Sequence, residues 1–237
     1  MPRPTEHKPT LVLIPGLLNT RRLFAPQIEG LADLVDVVVP EIWRHDSMSA
    51  MANAILAAAP PRFALGGFSM GGYVSFEIMR RAPERVERLA LMDTQATSDT
   101  PEISARRRGF IELSKLGRFH GVQDSLLPTL LHPSHLGDKS ITQPILDMAA
   151  EVGAEGFVNE QTANMNRPDS RPLLVDIDVP TVVIVGRQDQ PTPLARAQEM
   201  AADIANARLV VIEECGHMST LEKPAEANAA LRRWLTA

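Results

Sequence analysis

Ser69 lies in Gly67-Phe68-Ser69-Met70-Gly71, with Gly66 before it and Gly72 after it. The pattern follows a short apolar run, Phe63-Ala64-Leu65, and precedes a helical pattern from Met70 to Arg81. A serine at a sharp strand-to-helix turn has its hydroxyl pushed out of the end of a sheet, where it can act as a nucleophile. Such a turn strains the serine backbone, and glycines at 67 and 71 supply the room it needs. The turn also aims the Met70 N–H, at a helix N-terminus, toward the charge that develops on an attacked carbonyl.

A serine nucleophile needs a base, and of the six histidines His217 has the best setting. It follows the apolar run Leu209 to Ile212 in Glu214-Cys215-Gly216-His217-Met218, and Gly216 permits a tight loop. The base needs an orienting carboxylate. Asp189, in Val185-Gly186-Arg187-Gln188-Asp189, comes directly after another apolar run, where it would hold the imidazole tautomer and stabilise imidazolium. Asp93, in Leu91-Met92-Asp93-Thr94, occupies a similar position after a strand and competes for that role. The order Ser69, Asp189, His217 is the one expected with this serine turn. A second oxyanion donor should come from the loop Pro15 to Thr20, with the backbone N–H of Leu17 the natural candidate and Leu18 next. His132 and His135, as His-Pro-Ser-His, look metal-like, but a proline in the gap and no nearby carboxylate cluster argue against zinc. No metal or cofactor is expected.

These residues require a scaffold that ends several strands at one edge. Continuous apolar runs at Thr10–Ile14, Val35–Val39, Phe63–Leu65, Arg88–Met92, Thr181–Val185 and Arg208–Ile212 read as strands buried on both faces. Helical patterns lie between them at Arg21–Leu34, Ser47–Ala59, Met70–Arg81, Leu194–Ile204 and Ala225–Leu235. The alternation predicts an α/β fold with a mainly parallel sheet and helices on both faces. From Ala96 to Arg171 no buried strand is evident, and a structureless loop of that length is improbable. This segment is expected to be a small helical cap, 96–171, inserted between core segments 1–95 and 172–237. His7 and His45 read as surface residues, and His120 as surface or cap lining.

Composition limits the functions open to the chain. Lys plus Arg number 24 against 29 Asp plus Glu, a net charge of −5, which leaves no basic footprint for nucleic acid. The run Arg106-Arg107-Arg108 reads as a solvated helix face. One cysteine, Cys215, excludes an internal disulfide, and no apolar stretch is long enough to span a bilayer. A cytoplasmic protein without a membrane or nucleic-acid partner is expected.

With Leu13-Ile14-Pro15-Gly16-Leu17-Leu18, Gly66 to Gly72, Val185 to Asp189 and Cys215-Gly216-His217-Met218 in place, the chain resembles the α/β-hydrolase superfamily, in its short, lidded, esterase- or lactonase-like form. The resemblance implies about six strands, a helical cap and a serine hydrolase acting through an acyl-enzyme on a small or medium carboxylic ester or lactone. One departure concerns the first motif: many relatives have His-Gly where this chain has Pro15-Gly16, so the loop lacks a bracing ring. The same triad also serves enol-lactonases, thioesterases, C–C bond hydrolases and perhydrolases, and the fold can serve as a ligand receptor with little turnover.

Overall fold

The computed structural model describes residues 8–237; His7 and the side chains of residues 120–124, including His120, lie outside the described set. Six strands form one sheet: β1 (Thr10–Ile14), β2 (Asp36–Val38), β3 (Phe63–Phe68), β4 (Val86–Met92), β5 (Thr181–Gly186) and β6 (Ala207–Ile212). Their order is β2-β1-β3-β4-β5-β6, and every pairing is parallel. All loops leaving the strands' C-terminal ends therefore share one edge. The order reverses between β1 and β3, which pair through Leu13 with Gly66 and Ile14 with Gly67. Such a reversal opens a crevice beyond the strand ends.

Helices cover both faces. On one face α2 (Met48–Ala58), α3 (Met70–Arg81) and α8 (Leu194–Asp203) bury Met51, Val74, Ile78 and Met200 against Ile14, Leu65 and Val183. On the other, α1 (Ala25–Gly30) and α10 (Pro224–Thr236) pack with Phe24, Leu31, Leu231 and Trp234 against Leu13, Met92 and Ile184. In α10 the buried positions are Ala227, Ala230, Leu231 and Trp234, the helical stripe read from the sequence.

Two expected elements are shorter than their patterns. The Arg21–Leu34 stretch is a 3-10 helix at Arg21–Phe24 followed by α1, because Pro26 lacks an N–H to continue an earlier turn and favours a helix start. Only Asp36–Val38 of the Val35–Val39 run pairs, at the sheet edge, and Asp36 and Val38 are exposed. Between β4 and β5 the chain leaves the sheet as α4 (Pro101–Lys115), α5 (Phe119–Leu130) and α6 (Lys139–Met165), and returns through α7 (Arg171–Leu174). α6 is kinked at Gly153, where φ is +72°, a conformation costly to any residue with a Cβ. A short α9 (Ser219–Glu222) precedes α10. No helix among the described residues is long and apolar enough to cross a membrane.

Candidate active site

β3 is buried along its whole length, and the chain turns abruptly at Ser69 into α3. Ser69 has φ +51° and ψ −115°, outside the regions that L-residues ordinarily occupy. Three hydrogen bonds hold it there. Its N–H donates to the Met92 carbonyl at 2.9 Å, and its carbonyl accepts from the Gly72 N–H at 2.9 Å and the Thr94 hydroxyl at 2.7 Å. A Cβ on Gly71 would run into the Ile14 carbonyl, and one on Gly67 into the Gly71 carbonyl. Both glycines are therefore needed for the close approach of strand and helix.

His217 lies in the loop after β6, with its Nε2 2.9 Å from Ser69 Oγ. Its Nδ1 lies 2.9 Å from each oxygen of Asp189, which follows β5. Asp189 is fixed in turn by Thr192, whose N–H and hydroxyl donate to its two oxygens at 2.9 and 2.7 Å. Burial pushes the His217 ring toward its neutral form, but the adjacent, hydrogen-bonded Asp189 carboxylate outweighs it, and the pKa stands above the ordinary 6.5. The ring also packs against Phe68, centroid to centroid 5.3 Å.

Asp93 is brought close but not into this chain of contacts. Its oxygens accept from the Gly186 N–H and the Ser219 hydroxyl, with no bond to His217. Burial, reinforced by the Asp189 charge, pushes its pKa well above the usual carboxylate range. It ties the ends of β4 and β5 to the start of α9.

The His217 loop is clamped from outside the sheet. Its N–H donates to the Leu130 carbonyl at 2.8 Å. A Cβ on Gly216 would strike the backbone of residues 130–132. Buried Glu222 accepts from the N–H groups of Met218 and His132 and meets His135 Nδ1 at 2.8 Å. His132 and His135 thus serve this junction, with His132 Nδ1 2.7 Å from the Ser134 hydroxyl. Cys215, buried beneath the loop, has its thiol pushed up by burial and by the carboxylates of Asp93, Glu222 and Asp189. Thr192 and Glu222 carry no motif, and only a spatial model could have found them.

The loop after β1 supplies the remaining polar groups. Among the described residues the N–H groups of Leu17 and Met70 donate to no protein acceptor. Leu18, the second sequence candidate for an oxyanion donor, is excluded: its N–H donates to Glu160 Oε2 at 2.8 Å. A cavity of about 430 Å³ opens on Ser69 and His217. Leu17, Phe110, Leu126 and Ile145 give it apolar walls, and Arg107 and Gln161, bonded to each other at 2.7 Å, a polar end.

The sequence of residues 11–231 matches the model of the alpha/beta hydrolase family, and the chain belongs to that family. It is 30% identical over 196 residues to a pimeloyl-[acyl-carrier protein] methyl ester esterase of Neisseria meningitidis, covering 78% of this chain and 74% of that one. Among solved structures, a thermophilic esterase from Thermogutta terrifontis superposes with a TM-score of 0.88 at 29% identity, over 97% of this chain and 90% of that one. The enol-lactonase from Burkholderia xenovorans LB400 shares the fold, with a TM-score of 0.88 at 24% identity over 99% and 94% of the two chains.

Proposed function

We propose that this protein is a serine hydrolase that cleaves a small or medium carboxylic ester or lactone through an acyl-enzyme. The observation that carries this is the unbroken series of 2.9 Å contacts from Ser69 Oγ through His217 to Asp189, beside two N–H groups with no acceptor among the described residues. Ser69 attacks the carbonyl carbon while His217 Nε2 takes its proton, and the tetrahedral oxyanion is received by the N–H groups of Leu17 and Met70. Asp189 keeps the Nδ1 proton in place and stabilises the imidazolium. His217 then protonates the leaving alkoxide. In the second half-reaction it deprotonates water, which adds to the acyl carbon; collapse releases the acid and returns the proton to Ser69. No step calls for a metal or cofactor.

The names of the relatives, an esterase of a methyl ester and a structural neighbour that is an enol-lactonase, are in line with an ester or lactone substrate. A cavity of about 430 Å³ suits a ligand of small or medium size. We read residues 96–171 as the cap over this cavity and 1–95 and 172–237 as the core that carries Ser69, Asp189 and His217.

Hydrolysis of short-chain p-nitrophenyl esters and a lactone panel, run beside Ser69→Ala, tests the proposal. The variant should lose at least about 10³-fold in kcat. A tenth of wild-type activity in the variant would remove Ser69 from the mechanism. Stoichiometric acylation of Ser69 without sustained turnover of any substrate would make the protein a ligand receptor instead.

A further inference from the structure

The proposed mechanism makes no use of Glu160. This carboxyl sits on α6, fully buried, and reaches 142 residues back along the sequence to accept the Leu18 N–H. Its other oxygen, Oε1, is buried without a hydrogen-bond partner among the described residues. Burial pushes its pKa up to about 8, the Leu18 N–H opposing only part of that, and no charged side chain contributes. A carboxyl in this state destabilises the fold, since a buried acceptor left unpaired keeps its full desolvation penalty. Helix α6 has no need of it for packing, because Phe157, Ala149 and Val152 already form an apolar cluster around Leu18.

What Glu160 does hold is a strained piece of backbone. Leu18 has φ +60°, the left-handed region that a leucine enters only under constraint. The loop turns there, with the Asn19 N–H donating to the Gly16 carbonyl at 3.1 Å. Directing the Leu18 N–H to Glu160 fixes the peptide plane between Leu17 and Leu18. The neighbouring Leu17, which lines the cavity, keeps a backbone N–H with no acceptor among the described residues. Pro15 and Gly16, at the start of the loop, carry no side chain that could accept the Leu18 N–H, and Glu160 is its acceptor.

We propose that Glu160 is a positioning residue that holds the Leu18 amide and thereby keeps the Leu17 N–H available to the oxyanion. This deepens the serine-hydrolase function proposed above and rests on it. It also makes the oxyanion site dependent on the seating of α6, a helix outside the sheet.

Kinetics of the full chain on p-nitrophenyl butyrate test this with two variants of nearly equal volume. Glu160→Met removes the acceptor, and Glu160→Gln keeps an amide oxygen that can accept the same N–H. E160M should lower kcat by about 10- to 100-fold with KM within threefold, the pattern of an interaction felt in the transition state. E160Q should stay within threefold of wild type in both. A folded E160M with kcat within twofold of wild type overturns the proposal, as does an E160Q that loses as much as E160M. Should E160M fail to fold, amide exchange in the wild-type protein decides: protection of the Leu18 N–H is expected, and exchange as fast as an open amide overturns the proposal. Ser69→Ala, run in parallel, separates the two levels. If it keeps activity, the serine-hydrolase mechanism itself fails; if it is silent while E160M is fully active, only the role of Glu160 fails.

Discussion

The elbow after β3 and the loop after β1 leave adjacent strands at the same sheet edge, and each is held by opposite means. Each contains a residue with positive φ, Ser69 at +51° and Leu18 at +60°, and each offers one unused N–H toward the cavity. At the elbow the constraint comes from the sheet and its own glycines: glycines at 67 and 71 let the helix pack onto β3 and β1, and Met92, at the end of β4, and Thr94, just past it, bond the turn. At the β1 loop the constraint comes from Glu160 and from an apolar cluster on α5 and α6. The Met70 N–H is thus held by the core of the sheet, and the Leu17 N–H by a loop that rests on helices α5 and α6.

This contrast can be broken from either side. The largest effect is expected at the elbow, where Gly71→Ala places a methyl group against the Ile14 backbone, which has no freedom to yield. Overpacking of this kind costs about 1–3 kcal/mol, and a misplaced nucleophile costs about 10² in rate. Steady-state kinetics together with thermal unfolding should therefore show both activity and stability falling. Wild-type turnover in G71A would mean that the elbow is not set by its own glycines.

At the loop the expected effect on rate is smaller, and the effect on stability depends on pH. Glu160 ionises at about 4.5 when unfolded and is pushed up to about 8 by burial when folded. Between those values the unfolded chain gives up its proton first, so stability is lost as pH rises, by roughly 1.4 kcal/mol per pH unit at most. E160Q has no such loss. Urea unfolding at pH 5 and pH 8 should show E160Q gaining on wild type by on the order of a few kcal/mol at the higher pH. An equal difference at both pH values would mean that Glu160 is not desolvated as described.

The same contrast governs what the sequence could reveal. All six strands, the turn at Ser69 and helix α3 were legible, because apolar runs and glycine spacing are local signals that the fold does not override. Asp189 and His217 were legible from their places after apolar runs, and they lie in contact. Asp93 competed on the same grounds and separates from Asp189 only in space, through its bonds to Gly186 and Ser219. Glu160 was invisible: in sequence it is one acidic residue on a helix that already carries Glu151 and Glu155. Its function depends on burial and on a partner 142 residues away, neither of which leaves a periodic trace. The bracing that Pro15 fails to supply was legible as a gap, but what fills it was not.

In the proposed mechanism Ser69 is the nucleophile and His217 its base. The rate of labelling by a fluorophosphonate, with the adduct located by peptide mass spectrometry, tests it most directly. One phosphonyl group on Ser69 is expected, forming fast at pH 8 and slowing as pH falls through a His217 pKa above 6.5, since only the neutral ring accepts the serine proton. A folded protein that takes up no label, or takes it up at a residue other than Ser69, would remove Ser69 as the nucleophile.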